Sequence, residues 1–473
     1  MQFEYTEIFT IPRLAWCAKF KPGHDIISIL HGSGVEVHDN WFCEGAWDGT
    51  YDLDGFINSE NFTGTGGRII KDSVEFVSPT NPFRGLVSTP SNGEMIISNS
   101  LIFVLAQIND KPDVDDLGYY RKLYNYSQNG FAQKLQPIKM ANGSQIKIHN
   151  YCNIRIKDGR FSKNMKPESN PPVDYSDYQQ RLIDILAKIR ENAADPRRIR
   201  TVYHPLVTLS RGYDSVACAA LATQAGWKDA VTLVPDNDKH HNVKDSGVPV
   251  ARCLGLNIEK FDMVGWRKLE NIPEAEFAAT AWGGIMVRFV IMEQRLKNSL
   301  LVLGNVGGLI WGLETEKIGK NWARSGFIQM GAESLWEFQL RAGFLTVYPA
   351  TFLATHFNQI RSIMTSDEMK PWSIGGDYDR PIARRIAEEA GVGRELFGQE
   401  KLALTHEYTG RPQGSSINGH KDFVNFLHEI DKLKQYSEKK ITDGKVELVF
   451  ELAKAANLFF HWGVERTLPR YKF

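Results

Sequence analysis

The stretch Val207-Thr208-Leu209-Ser210-Arg211-Gly212-Tyr213-Asp214-Ser215-Val216-Ala217 decides the fold of this chain. An apolar strand runs straight into a short Ser/Arg/Gly loop and then into the alanine-rich run from Ala217 to Ala222. That order leaves the first backbone N–H groups of the helix without intrahelical partners and aims them, with the helix dipole, at one spot. A phosphate or pyrophosphate suits the spot, with the Ser210 and Ser215 hydroxyls as extra donors and Gly212 permitting close backbone approach. Asp214, at the helix start, can cap the amides or reach a magnesium ion that accompanies a nucleotide. The same spelling also serves an ordinary strand-turn-helix connection, so the surroundings must arbitrate.

Outward from the loop, apolar strand patterns at 202–209, 230–234, 258–261 and 300–303 alternate with helical patterns at 215–224, 248–254 and 275–295. Alternation of this kind predicts a parallel sheet with helices on both faces and a ligand crevice beyond the carboxyl ends of the strands. Leu182, Ile183, Leu186 and Ile189 form a helical stripe just before it, with Ser176 and Gln179 in capping-box spacing. After about Ile382 the tail reads as helical, at 381–390, 421–435 and 445–460. The front of the chain differs. Ile146-Lys147-Ile148 and Ile154-Arg155-Ile156-Lys157, the latter followed by Asp158-Gly159, show the period-two alternation and turn of antiparallel sheet. Between the two textures lies a polar stretch with three prolines, Pro167, Pro171 and Pro172, read as a linker. The expected division is residues 1–160, a linker at 161–178, and 179–473.

Composition narrows the function. The 473 residues carry 56 Lys+Arg against 56 Asp+Glu, a zero balance that gives no surplus for a nucleic-acid partner. At 42% hydrophobic residues there is ample core, and disorder is not expected. The five cysteines, Cys17, Cys43, Cys152, Cys218 and Cys253, contain no C-x-x-C pair, which suggests neither a disulfide framework nor a zinc module and fits a reducing compartment; Cys218 and Cys253 are expected to be buried. The longest uncharged run, 298–313, is too short and too glycine-broken to span a bilayer, and the acidic start does not read as a secretory signal. A cytoplasmic protein is expected, and a homodimer is compatible with the sequence.

Taken with these surroundings, Leu209-Ser210-Arg211-Gly212-Tyr213-Asp214-Ser215 resembles the S-G-G-x-D-S pyrophosphate loop of the ATP pyrophosphatases. The helix before the loop, Asp245-Ser246-Gly247 leading into a helix, and the run from Gly376 to Lys401 are similar to the synthetase domain of the asparagine synthetase family. The resemblance spans about residues 175–470. More weakly, residues 96–106 resemble the core of that family's glutaminase-type domain. It implies an α/β chain: a degenerate, β-rich, Ntn-glutaminase-like domain, then a parallel-sheet PP-loop domain of the HUP (adenine nucleotide alpha hydrolase-like) type with a helical C-terminal region. It further implies that ATP and Mg2+ are used to adenylate a small-molecule carboxylate, that pyrophosphate leaves into the loop, and that ammonia or an amine attacks the acyl adenylate. Leu209, Ser210, Gly212, Tyr213, Asp214, Ser215, Val234, Leu303, Gly304 and Asn305 are the nucleotide positions so implied, with Asp214 on the metal. Lys401 takes the place of the lysine that stabilises adenylation, and Arg211 and Asp214 join it as catalytic candidates.

Three departures qualify the likeness. The chain begins Met1-Gln2 and its earliest thiol is Cys17, so glutamine hydrolysis by an N-terminal cysteine is not expected. Arg211 replaces a loop glycine; it either grips pyrophosphate bidentately or crowds the pocket. In Gly304-Asn305-Val306-Gly307-Gly308-Leu309, the family's acidic positions are held by Asn305, Gly308 and Leu309, which leaves Asp214 to be helped by Asp236 or Asp238 if a magnesium ion is held at all. A catalytically silent, nucleotide- or partner-binding relative is the competing reading. Elsewhere, His240-His241 reads as a solvated pair and Trp282, Trp311, Trp322 and Trp336 as core or as a substrate wall. Arg380, Arg384 and Arg385 suit either an anion or a solvated helix face with Glu388 and Glu389.

Overall fold

The computed structural model describes the chain apart from residues 52–54, 117–136, 235–245, 281–285, 314–331, 377, 400–415 and 432–456. Its N-terminal strands are Gln2–Glu7 (β1), Trp16–Phe20 (β2), Ile26–His31 (β3), Glu36–His38 (β4), Trp41–Trp47 (β5), Phe62–Ile70 (β6) and Ser73–Val77 (β7). Leu86–Ser91 (β8), Glu94–Ser98 (β9), Ile138–Lys139 (β10), Gln145–His149 (β11), Cys152–Lys157 (β12) and Arg160–Met165 (β13) complete the set. They build a seven-stranded sheet, β1-β3-β2-β9-β8-β11-β10, and a six-stranded one, β13-β12-β7-β6-β5-β4.

Alternating residues of the two sheets, among them Trp16, Phe42, Phe76, Ile97, Ile154 and Ile156, share one buried cluster, with Trp16 edge-on to Phe42 at 4.9 Å. Asp158 (φ 50°) and Gly159 (φ 69°) turn β12 into β13 as a two-residue hairpin whose left-handed pair matches strand twist. Of the stretch read as linker, 161–165 finish β13 and 175–178 open the next helix.

Helices of seven residues or more among the described residues are Leu101–Ile108 (α1), Tyr175–Ala193 (α2), Tyr213–Gln224 (α3), Val248–Leu254 (α4), Trp336–Ala342 (α5), Phe357–Met364 (α6), Pro381–Glu389 (α7) and Ile417–Glu429 (α8), and residues 457–467 are helical as well. The cap of α2 lies earlier than the Ser176–Gln179 spacing predicts: the Asp174 carboxylate accepts the Asp177 N–H at 2.8 Å, so the more acidic residue takes the position. The helix expected over 275–295 is broken. Its described parts are the helical turns Glu274–Ala278 and Glu293–Leu296 and the 3-10 segment Val287–Met292, and the weak helix formers Gly283-Gly284 fall between them.

His204–Thr208 (β14), Asp229–Val234 (β15), Asn257–Asp262 (β16), Ser299–Val302 (β17) and Leu345–Val347 (β18) form a five-stranded sheet in the order β16-β15-β14-β17-β18. Every pairing in it is parallel. The chain steps outward from β14 to β15 and β16, then crosses back to β17, so β14 is the topological switch point and the crevice opens at its carboxyl end.

The two halves share one core, in which Leu101 to Leu105 of α1 pack with Leu206, Val302 and Phe338. Hydrogen bonds cross the junction: Leu14 N–H to Leu340 O at 2.9 Å and Trp336 Nε1–H to Asn99 O at 2.6 Å. The buried Glu36 carboxylate accepts the amides of Ile199, Arg200 and Thr201, which fixes the entry to β14. Trp311 and Trp336 are core, while Trp282 and Trp322 lie outside the described residues. Cys218 is buried as expected, but Cys253 is exposed, because it falls on the outer side of α4 from buried Val250, Ala251 and Leu254. No helix among the described residues is long and apolar enough to cross a membrane.

Candidate functional site

The Leu209–Gly212 turn sits at the carboxyl end of β14, with the Leu209 N–H still held by Val231 O at 2.9 Å. Gly212 is the N-cap of α3 in extended conformation and offers no side-chain cap, so no side chain of its own competes for the first-turn amides. The two serines are tied together: Ser215 Oγ accepts the Ser210 N–H at 3.0 Å and lies 2.8 Å from Ser210 Oγ, which in turn accepts the Gly212 N–H at 3.2 Å. Leu209, Ser210, Gly212, Tyr213, Asp214 and Ser215 therefore do converge. Val234, at the end of β15, and Leu303-Gly304-Asn305, after β17, flank them at the same sheet edge.

Close packing shapes this edge. A Cβ on Gly304 would lie 2.7 Å from Ser215 N, one on Gly307 2.5 Å from Asp214 Cγ, and one on Gly308 2.3 Å from Arg380 Nη2. Val306 between them is left-handed at φ 61°, a costly conformation for a β-branched residue. Ser246-Gly247 closes the other side, where a Gly247 Cβ would meet Leu209 O at 2.6 Å.

Arg211 goes where neither sequence alternative put it. Its Nε donates to Leu396 O at 2.7 Å and its Nη2 to Glu395 O at 2.9 Å, while its own carbonyl accepts the Gly398 N–H at 2.8 Å. The guanidinium is held by the carbonyls of two consecutive residues some 185 positions further along the chain. Gly398 (φ 65°) is pressed on the Tyr213 ring, 2.4 Å from where its Cβ would sit. The segment leading to Lys401 is thus clipped to the loop, though Lys401 itself lies outside the described residues, as do Asp236, Asp238, His240 and His241.

The cation facing the loop is Arg380. It donates through Nη1 to Asp214 Oδ2, leaving Asp214 Oδ1 without a hydrogen-bond partner, and its guanidinium lies 4.8 Å from the Tyr378 ring centre. Asp379 organises the approach by accepting from Ser373 Oγ, Ile374 N and Gly375 N. One turn on, buried Arg384 donates to Tyr213 OH and to Glu388 at 3.3 Å, and burial lowers its pKa. Arg385 turns away to Glu389 and Glu368. The arginine cluster thus divides between the two readings, and sequence reasoning missed Tyr378 and Asp379; the alternation of charge and aromatic in Tyr378-Asp379-Arg380 was the available signal.

Magnesium fits these residues poorly. Asp214 is engaged by a guanidinium, residues 304–309 offer no carboxylate, and no three His, Cys, Asp or Glu side chains converge among the described residues.

Sheet order and connectivity define a doubly wound α/β protein with a Ser/Gly turn at its switch point. No family model matches the chain, and no curated protein does. Among solved structures it is similar to an NH3-dependent NAD synthetase from Campylobacter jejuni subsp. jejuni NCTC 11168 in complex with the nitrate ion, at 17% identity over 42% of this chain and 82% of that one, with a TM-score of 0.22. It is also similar to an NMN synthetase from Francisella tularensis, at 15% identity over 58% of this chain and 99% of that one, with a TM-score of 0.23. Superpositions this low do not bear on what this chain binds.

Proposed function

We propose that the chain is an ATP-dependent, amide-forming ligase of the asparagine-synthetase type that uses free ammonia or an amine. A substrate carboxylate oxygen attacks the α-phosphorus of ATP, the bond to the β-phosphate oxygen breaks, and pyrophosphate departs into the Ser210–Ser215 loop. The nitrogen nucleophile then attacks the acyl carbon, AMP leaves with the bonding pair, and the nitrogen loses a proton. The observation that carries the reading is the Ser210/Gly212/Ser215 loop at the carboxyl end of the central strand, opening on the first-turn amides of α3. Preorganised donors of this kind stabilise charge that develops on a leaving pyrophosphate. Val234 and Leu303-Gly304-Asn305 would line the nucleoside side, and Lys401, three residues after docked Gly398, would meet the reacting phosphoryl group. Arg211 acts by positioning that segment rather than by touching phosphate. Magnesium, which the described residues fit poorly, would have to arrive on the nucleotide itself.

The N-terminal sandwich then serves as a structural wall. Cys17 is fully buried and its thiol is pushed up to about 12, which makes it a poor nucleophile. A cytoplasmic location belongs to this reading, and the five free cysteines are compatible with it. The test is pyrophosphate release from ATP across a carboxylate panel with labelled ammonia. Turnover that falls at least a hundredfold in Lys401→Ala supports the ligase; absence of turnover throughout the panel defeats it. The Asp214–Arg380 pair favours a second reading, a silent nucleotide-binding relative, which predicts ATP binding that Lys401→Ala leaves unchanged and no pyrophosphate release.

A further inference from the structure

We infer that Arg380 is an anion-binding latch that takes over, at the pyrophosphate loop, the charge neutralisation a divalent cation would provide. The inference rests on reading the loop as a pyrophosphate site, but not on any turnover there. Four observations carry it. Arg380 is only 5% exposed yet stands against the first turn of α3, where a cation is unfavourable to the helix dipole unless an anion joins it. In this structure that anion is Asp214, bound through one oxygen only, with 22% of its side chain still exposed. The loop at 304–309 is carved to admit the pair, since a Cβ on Gly307 would strike Asp214 and one on Gly308 would strike Arg380, and strained Val306 holds that course. Finally, Asn305, Gly308 and Leu309 carry no charge, so the guanidinium occupies the wall from which acidic metal ligands would project.

A pyrophosphate entering the loop brings more charge and more acceptor oxygens than one carboxylate, and a guanidinium fork engages two of them at once. Arg380 therefore exchanges Asp214 for the ligand, and the released carboxylate, now beside a like charge, opposes binding. That predicts a sign. If Arg380 is the latch, removing the Asp214 charge tightens anion binding; if Asp214 is a magnesium ligand, removing it weakens binding.

The experiment is titration calorimetry with inorganic pyrophosphate and the full chain, in excess EDTA and again in excess Mg2+. Wild type is expected to bind in EDTA, Asp214→Asn to bind about tenfold more tightly, Arg380→Gln at least tenfold more weakly, and Arg380→Lys in between. Circular dichroism checks that Arg380→Gln is folded; if it is not, Asp214→Asn, which keeps the guanidinium, decides alone. Binding only with Mg2+, weaker binding by Asp214→Asn, unchanged binding by a folded Arg380→Gln, or no binding in either condition overturns the latch. Metal-free binding without ATP turnover sinks the ligase and leaves the latch standing, whereas magnesium-dependent turnover without metal-free binding does the reverse.

Discussion

Two buried carboxylate–guanidinium pairs, one in each half of the molecule, differ in how completely they are closed. Glu44 in the N-terminal sandwich accepts from Thr65 at 2.8 Å, from Arg84 at 3.1 and 3.3 Å and from Asn99 at 3.3 Å, and is sealed from solvent. Asp214 at the loop has Arg380 on one oxygen, nothing hydrogen-bonded to the other, and an open side. A closed pair specifies how two sheets meet; an open one can change partners without unfolding anything. A third carboxylate, Glu337, is closed without a guanidinium. Ser100 Oγ and Tyr471 OH are its donors, joining the N-terminal half to the C-terminus, and burial pushes its carboxyl up to about 7.

Breaking the closed pair is expected to cost most. Arg84→Ala leaves Glu44 uncompensated, and urea unfolding should show a loss of about 3–5 kcal/mol. Glu337 sharpens the comparison through pH. Its folded pKa lies above the unfolded one, so its contribution is complete below about 4.5 and is lost as pH rises through about 7. The difference amounts to no more than about 3 kcal/mol. Unfolding midpoints should therefore fall across that window, and Glu337→Gln should flatten the fall; an equally steep profile in the variant would break the assignment.

The open pair should be cheaper to dismantle. Arg380→Ala is expected to cost about 1–2 kcal/mol in the same urea experiment, because half-buried Asp214 can rehydrate. A loss as large as that of Arg84→Ala would erase the distinction between the two pairs. Smallest is Val306→Gly. Relief of the left-handed strain, offset by backbone entropy, should change stability by no more than about 1 kcal/mol, while pyrophosphate affinity, measured calorimetrically, drops severalfold as the loop loosens.

Much of the scaffold was legible in the chain. The Asp158-Gly159 hairpin, α4 at residues 248–254, and the strand-loop-helix around Ser210 follow from local periodicity and turn chemistry, which are short-range effects. The six loop residues from Leu209 to Ser215 other than Arg211 could be gathered the same way, because a single turn of backbone brings them together. Arg211 could not be placed, since its partners Glu395 and Leu396 come from the far end of the domain.

By itself, then, the sequence determined that a Ser/Gly loop would end a buried parallel strand and open an alanine-rich helix, because those properties depend on neighbours a few residues apart. Only the tertiary structure decided which cation meets that loop. Arg380, Arg384 and Arg385 are nearly equivalent as a helical pattern, and the packing of α7 on α3 turns the first two inward and the third to solvent-side acids. Gly308 reads in the sequence as a missing carboxylate, yet in the fold it and Gly307 leave the space that the Asp214–Arg380 pair requires. Side-chain charge is local information, but which charge faces which is settled by how whole elements pack.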